Sequence, residues 1–184
     1  MTLTETPICN FGEKAKSFDL LSAANKKISL NDIKGENGTL IMFICNHCPY
    51  VKAVVKDIVE DAKYLETLGI KSVAIMSNDV KNYPEDSFEN MLSFSKLHSF
   101  SFPYLIDETQ KIAKEYGAVC TPDFFGYNKN LELQYRGRIR ELKNLKPVGK
   151  GNSDLRIAMQ LIATSGKGPK NQIPSMGCNI KWFK

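Results

Sequence analysis

An α/β fold with parallel strands is expected from three neighbouring patterns in this 184-residue chain. The run Leu40-Ile41-Met42-Phe43-Ile44 is apolar without alternation, the pattern of a central strand covered on both faces. Apolar residues then recur at Val51, Val54, Val55, Ile58, Val59, Ala62 and Leu65, one face of a helix, until Gly69 stops the run. Ile70 to Met76 is a second buried strand. Strand, helix and strand in this order require parallel pairing through a right-handed crossover.

The remaining elements follow from local signals. After an irregular start, Ser17-Phe18-Asp19-Leu20-Leu21 and Lys27-Ile28-Ser29-Leu30 are short strands joined by an Asn-Lys turn. Ser87 is placed to cap a helix carrying Phe88, Met91, Leu92 and Leu97, after which Phe102 to Ile106 is short and extended. Asp107 and Gln110 have the spacing of a capping pair for a helix that stops at Gly117. Phe124 to Tyr127 and Leu131 to Tyr135 form a hairpin through Asn128-Lys129-Asn130. A last helix from about Ser153 to Thr164 presents Leu155, Ala158, Met159 and Ile162 and is closed by Gly166. No repeat or linker divides the chain, so a single domain is expected over residues 1–184, with a flexible Gly-, Pro- and Lys-rich tail at about 166–184.

Composition narrows the function classes. The beginning of the chain has neither a basic segment nor an apolar one, and no stretch approaches the ~20 apolar residues of a membrane span, so a soluble cytoplasmic protein is expected. Five cysteines, only two of them closely spaced, do not make a secreted disulfide framework. The net charge of +5 is uneven, because residues 129–184 hold twelve Lys or Arg against three acids. That asymmetry can steer acidic partners or simply be a solvated basic face. There is no basic-aromatic, helix-turn-helix or zinc-finger pattern, so nucleic acid is not expected as a partner.

The chemistry centres on Cys45-Asn46-His47-Cys48, where the central strand meets the helix. At a helix N-terminus the backbone N–H groups and the dipole favour thiolate, the form that attacks disulfides and peroxides. Two positions three apart on a regular helix are too far for a disulfide, so the pair closes only if Cys45 precedes the first turn. Pro49, which has no N–H to donate, fits that first turn. On this reading Cys45 is the exposed, activated thiol and Cys48, one turn in and more buried, resolves. His47, if protonated, adds positive charge beside the Cys45 thiolate; it can also face solvent with little effect. A zinc site would need a second ligand pair of similar spacing, whereas Cys9, Cys120 and Cys178 are isolated and His98 is the only other histidine. Thr121-Pro122 at the start of a strand fits either a cis turn facing a site or an ordinary loop.

Taken together, these features resemble the thioredoxin superfold. The N-terminal strand pair and the helix inserted between Met76 and Phe102 narrow the resemblance to the peroxiredoxin-like branch, which includes alkyl hydroperoxide reductase and thiol-specific antioxidant proteins and the thiol reductases of cytochrome maturation. Within it the chain is similar to a subgroup of bacterial proteins with the pattern Cys45-Asn46-His47-Cys48-Pro49-Tyr50-Val51, Thr121-Pro122-Asp123-Phe124-Phe125, Arg136-Gly137-Arg138 and Gly177-Cys178-Asn179-Ile180-Lys181-Trp182, over about residues 11 to 184. The resemblance implies a central mixed sheet flanked by helices, Cys45 as nucleophile, Cys48 as resolving thiol, Pro122 as a cis-proline packed on the disulfide, and Thr121 offering backbone groups to a bound thiol substrate; His47, between the cysteines, is a further candidate for substrate binding. Two departures stand out. The Pro and Thr that peroxiredoxins place seven and three residues before the peroxidatic cysteine are Ile41 and Cys45 before Cys48, and Gly38 and Met42 before Cys45. The buried carboxylate that thioredoxins place six residues before the first cysteine is Thr39, which leaves proton transfer to water, His47 or another group.

The expected activity is therefore thiol-disulfide exchange through Cys45 and Cys48, in redox homeostasis or antioxidant defence. The alternatives are a thiol-dependent peroxidase and, in a different class, a copper(I) carrier using the thiols with His47 or His98. No organic cofactor or metal is required for exchange, and the expected partners are protein or small-molecule thiols and disulfides with a thioredoxin or glutathione reductant system. Cys120 is either near the pair or a small buried apolar residue. Cys178 is either a relay thiol folded over the site or packing beside Trp182, and Cys9 is incidental.

Overall fold

The computed structural model describes residues 3–7 and 10–184; the reading of Cys9 lies outside them. In chain order the strands and helices are β1 (Leu3–Glu5), β2 (Asp19–Ser22), β3 (Lys27–Ser29), β4 (Gly38–Phe43), α1 (Pro49–Glu66), β5 (Ile70–Met76), α2 (Phe88–Leu97), β6 (Tyr104–Ile106), α3 (Lys111–Tyr116), β7 (Cys120–Thr121), β8 (Asp123–Asn128), β9 (Leu133–Arg136), β10 (Leu142–Lys143), β11 (Lys146–Pro147), α4 (Asp154–Ser165) and β12 (Met176–Asn179). A 3-10 turn at Pro84–Asp86 precedes α2.

Seven strands form one mixed sheet in the order β3-β2-β6-β5-β4-β8-β9. β4 lies parallel to β5, which lies parallel to β6, and β4 is antiparallel to β8. All six residues of β4 are buried, because alternate side chains enter different cores. Leu40 and Met42 face α1 and α4, where Val51, Ile58, Leu155 and Met159 pack. Ile41 and Phe43 face Val73, Ile75, Phe125 and Tyr116 on the other side. The seven apolar positions expected on the helix face are all buried in α1, the Val, Ile and Leu side chains among them each contributing about 1.5–3 kcal/mol relative to exposure. An eighth buried residue on that face is Asp61. Its carboxylate accepts from the Ser153 hydroxyl and, at 2.7 Å, from Arg156 Nε, so it holds the start of α4.

Two local expectations change. Gln110 does not complete a capping box with Asp107. Asp107 accepts from the Ala113 N–H at 2.9 Å, while the Gln110 side chain donates to the Ser77 and Lys181 carbonyls and accepts from the Phe183 N–H. The segment after α4 is not a loose tail either. It returns as β12, sandwiched between β1 and β7 in a separate three-stranded sheet. Its backbone has few apolar side chains to advertise it, but each edge of the strand finds a partner, which satisfies the N–H and C=O groups that burial strips of water.

Candidate active site

The helix begins one residue after the second cysteine. Cys48 is the N-cap of α1, with extended backbone at φ −64°, ψ 122°, and Pro49 opens the helix. Cys45 therefore lies in the short loop between β4 and α1, well before the first turn, which meets the geometric condition for pairing. Two expectations about the cysteines are corrected: Cys48 caps the helix instead of lying one turn in, and Cys45 is only 1% exposed while Cys48 is 0% exposed.

The loop is folded onto a carboxylate that the motif does not contain. Asp86, fully buried, accepts from the Asn46 N–H at 2.8 Å, the His47 N–H at 3.3 Å and Asn78 Nδ2 at 2.8 Å, and its second oxygen lies 2.7 Å from His47 Nδ1. Tyr104 donates to Asn46 Oδ1 at 3.0 Å, and the His47 ring stacks on Tyr83 at 5.6 Å. Burial pushes the Asp86 carboxyl up, but the hydrogen bonds from His47 and Asn78 outweigh it and hold the group below its usual range. The hydrogen bond to Asp86 raises His47 in turn, against the effect of its partial burial. The pair thus favours imidazolium beside carboxylate.

Opposite the loop, the Thr121–Pro122 peptide is cis. Thr121 touches both cysteines: its hydroxyl lies 3.4 Å from Cys45 Sγ, and its carbonyl lies 3.2 Å from Cys48 Sγ. Next to it, the sequence motifs 121–125 and 136–138 meet across paired strands. Arg136 donates to Asp123 at 2.9 Å and lies over the Phe125 ring at 4.4 Å, with both charged groups buried. Burial nonetheless lifts Asp123 to about 6. This ion pair fixes the start of β8, directly after Pro122.

The two thiols share their protons unevenly. Cys48 is drawn down to about 5, first by the hydrogen bond from Cys45 and then, against burial, by the Thr121 side chain and the Val51 and Cys178 N–H groups. The Val51 contact is not a regular capping hydrogen bond, yet it aims a helix N-terminal dipole at the sulfur. The Thr121 carbonyl opposes ionisation, since it accepts only from the thiol form; the donors outnumber it. Cys45 is raised, first by its hydrogen bond to Cys48, then by burial and by the Asp86 charge. The balance of these contacts favours the charge on Cys48 over Cys45.

The structure brings Cys45, His47, Cys48, Thr121 and Pro122 together, as the sequence implied. It adds Asp86 and Tyr104, and of the two readings of Cys178 it supports the one at the site, where its thiol hydrogen-bonds Cys48. His98 is elsewhere, at the C-cap of α2 with its ring 4.5 Å from Phe94. Cys45, His47 and Asp86 present donor atoms within 4.8 Å of one another, a group that could hold a metal. Both Asp86 oxygens and His47 Nδ1 already serve the hydrogen bonds above, so these donors fit a hydrogen-bonded chain better than a copper(I) cage, which selects soft thiolates. A groove of about 440 Å³ opens beside Pro122, lined among others by Tyr50, Val54, Phe124, Arg138 and Met176.

A family model described as AhpC/TSA family matches residues 11–142. The crystal structure of an uncharacterized conserved protein from Geobacillus kaustophilus is 39% identical, covering 100% of this chain and 97% of its own, with a TM-score of 0.94. A hypothetical protein from Sinorhizobium meliloti is 35% identical over 98% of each chain, with a TM-score of 0.91. The thioredoxin domain of a thiol-disulfide oxidoreductase from Bacteroides vulgatus is similar in fold, at 14% identity over 74% of this chain and 91% of its own and a TM-score of 0.59. No curated protein matches the chain.

Proposed function

The chain belongs to the AhpC/TSA family, as a peroxiredoxin-like protein of thioredoxin-type fold and thiol redox function, and on that premise we propose that it is a thiol-disulfide oxidoreductase cycling Cys45 and Cys48 between dithiol and disulfide. The observation that carries this reading is the sulfur at the N-cap of α1, hydrogen-bonded by a second thiol three residues away and faced by the Thr121–Pro122 step.

Attack is assigned to Cys48, the reverse of the order expected from the sequence. The Cys48 thiolate attacks one sulfur of a substrate disulfide; a mixed disulfide forms and the other substrate sulfur leaves as a thiolate that takes up a proton. The negative neighbour that kept Cys45 protonated is then gone, so Cys45 ionises more readily, releasing its proton to solvent. It attacks Cys48 Sγ, closing the Cys45–Cys48 disulfide and expelling the second substrate thiolate. A small thiol or a thioredoxin-type protein returns the pair to dithiol by the same exchange. With both sulfurs buried, the substrate gains access when the loop at 45–47 moves aside, and Asp86 is the group that holds that loop.

Insulin reduction with dithiothreitol tests this reading. Turnover is expected from the wild type and lost in Cys48→Ser. A redox titration with peptide mapping should show Cys45 paired with Cys48, and failure to pair at any poise would sink the reading. Hydrogen peroxide added in parallel should be consumed no faster than by a free thiol, because Ile41 and Cys45 stand where peroxiredoxins place Pro and Thr. Fast consumption would favour the peroxidase instead.

A further inference from the structure

Cys178 lies outside the residues matched by the family model, and it is the element of the site that the CxxC chemistry leaves unused. It sits on β12, where the antiparallel register sets it opposite Thr121, the residue that contacts both motif cysteines. From there its thiol hydrogen-bonds Cys48, and its N–H also points to the Cys48 sulfur. The strand is held on both edges, by Leu3 opposite Cys178 and by Cys120 opposite Asn179. A Cβ on Gly177 would collide with the Thr121 carbonyl, so the close approach depends on that glycine. Cys178 is 3% exposed.

Cys120 provides the contrast. It is also buried and also beside the cis-proline, but its sulfur faces the Pro122 carbonyl at 3.7 Å. Cys120 fills space; Cys178 is aimed at a sulfur. Cys48 is thus flanked by two thiols, Cys45 from the loop and Cys178 from the strand.

We propose that Cys178 is a second resolving thiol, so that Cys48 alternates between disulfides with Cys45 and with Cys178. The proposal rests on attack by Cys48 as set out above. After the mixed disulfide has formed, the Cys178 thiol loses its proton to solvent and attacks Cys48 Sγ; the Cys48–Cys178 bond forms, the substrate–Cys48 bond breaks, and the substrate leaves as a thiolate that is reprotonated. Two protein thiols have become one disulfide and one substrate disulfide has become two thiols, with no further oxidant. Attack of Cys45 on Cys48 then moves the bond to Cys45–Cys48 and returns Cys178 to thiol. Burial and the neighbouring Cys48 push the Cys178 thiol up to about 12, so it acts once Cys48 has been discharged.

The test uses oxidised glutathione, acid quench, alkylation and peptide mapping on three variants. Cys45→Ser is expected to yield a Cys48–Cys178 disulfide, with Cys120 alkylated as a free thiol. Cys178→Ser is expected to yield Cys45–Cys48. The double variant Cys45→Ser/Cys178→Ser should hold the Cys48–glutathione adduct at least about tenfold longer than either single variant, the lifetime expected once no neighbouring thiol can expel the substrate. A persistent glutathione adduct on Cys48 in Cys45→Ser overturns the role of Cys178 and spares the thiol-disulfide reading. Neither a Cys48–Cys178 disulfide nor a glutathione adduct on Cys48 in Cys45→Ser overturns both. Should Cys178→Ser fail to fold by circular dichroism, Cys178→Ala serves in its place, and the Cys45→Ser result decides independently.

Discussion

Two helices pack on the same side of the central sheet and begin in opposite ways. α4 starts at Ser153, whose hydroxyl accepts from the Arg156 N–H at 2.9 Å and donates to the buried Asp61, with Asp154 in its first turn. Carboxylates therefore surround its positive end. α1 starts at a cysteine, with no acid in its first turn and no regular side-chain cap. One N-terminus is committed to holding two helices together; the other keeps its dipole for a sulfur. A capping position filled by a poorer cap costs stability of the order of 1 kcal/mol, and in α1 that loss coincides with the thiolate the proposed chemistry needs.

The largest expected effect breaks the reactive end. Cys48→Ser should lower the insulin-reduction rate at least about a hundredfold, since a serine hydroxyl does not ionise at neutral pH, while circular dichroism shows the fold retained. If Cys48→Ser keeps its activity and Cys45→Ser loses it, the two helix ends do not differ as described. At the other end, Asp61→Ala removes the acceptor for Ser153 and Arg156 and should cost about 2 kcal/mol in urea denaturation, without altering the rate at which iodoacetamide alkylates Cys48. A change in that rate would show that the two ends are coupled.

Acidity sharpens the comparison. The hydrogen bond from Cys45 and the donors around it draw Cys48 down to about 5 in the folded chain from an ordinary 9.0, so alkylation is expected to be flat above about pH 6 and to fall about tenfold one unit below the midpoint. Because the folded value is the lower one, the thiolate stabilises the fold fully above pH 9, and this contribution declines as pH falls toward 5. Denaturation of wild type and Cys48→Ser at pH 9 and pH 5 checks the sign: the stability advantage of the wild type should be greater at pH 9. Ser153→Ala should have the smallest effect, a loss of about 1 kcal/mol, with thiol reactivity unchanged.

The parts of the fold legible in the sequence are those whose signals are local and periodic. β4, α1 and β5 announce themselves by unbroken apolar runs and one helical stripe, and Ser87, Ser153 and Gly166 mark helix ends within a few residues. The site divides along the same line. Cys45, Cys48 and the Thr121–Pro122 step are carried by short motifs, whereas Asp86 reaches the loop across 39 and 40 residues from an unremarkable Pro-Glu-Asp turn. β12 was hidden because Met-Gly-Cys-Asn has no alternating pattern; long-range pairing alone makes it a strand. The assumption that the first cysteine is the exposed one failed for a related reason, since the loop that carries it is tied down to a buried aspartate contributed by a distant turn.

The partners that acidify Cys48 come from very different distances along the chain: Cys45 is three residues away, Thr121 is 73, and Cys178 is 130. During synthesis, therefore, the tetrapeptide emerges long before the strand that completes its surroundings. Until Thr121 and Cys178 dock, Cys48 has only its local donors, Cys45 and the Val51 N–H, and is less acidic than in the closed fold. The full acidity of Cys48 therefore arrives only with tertiary closure.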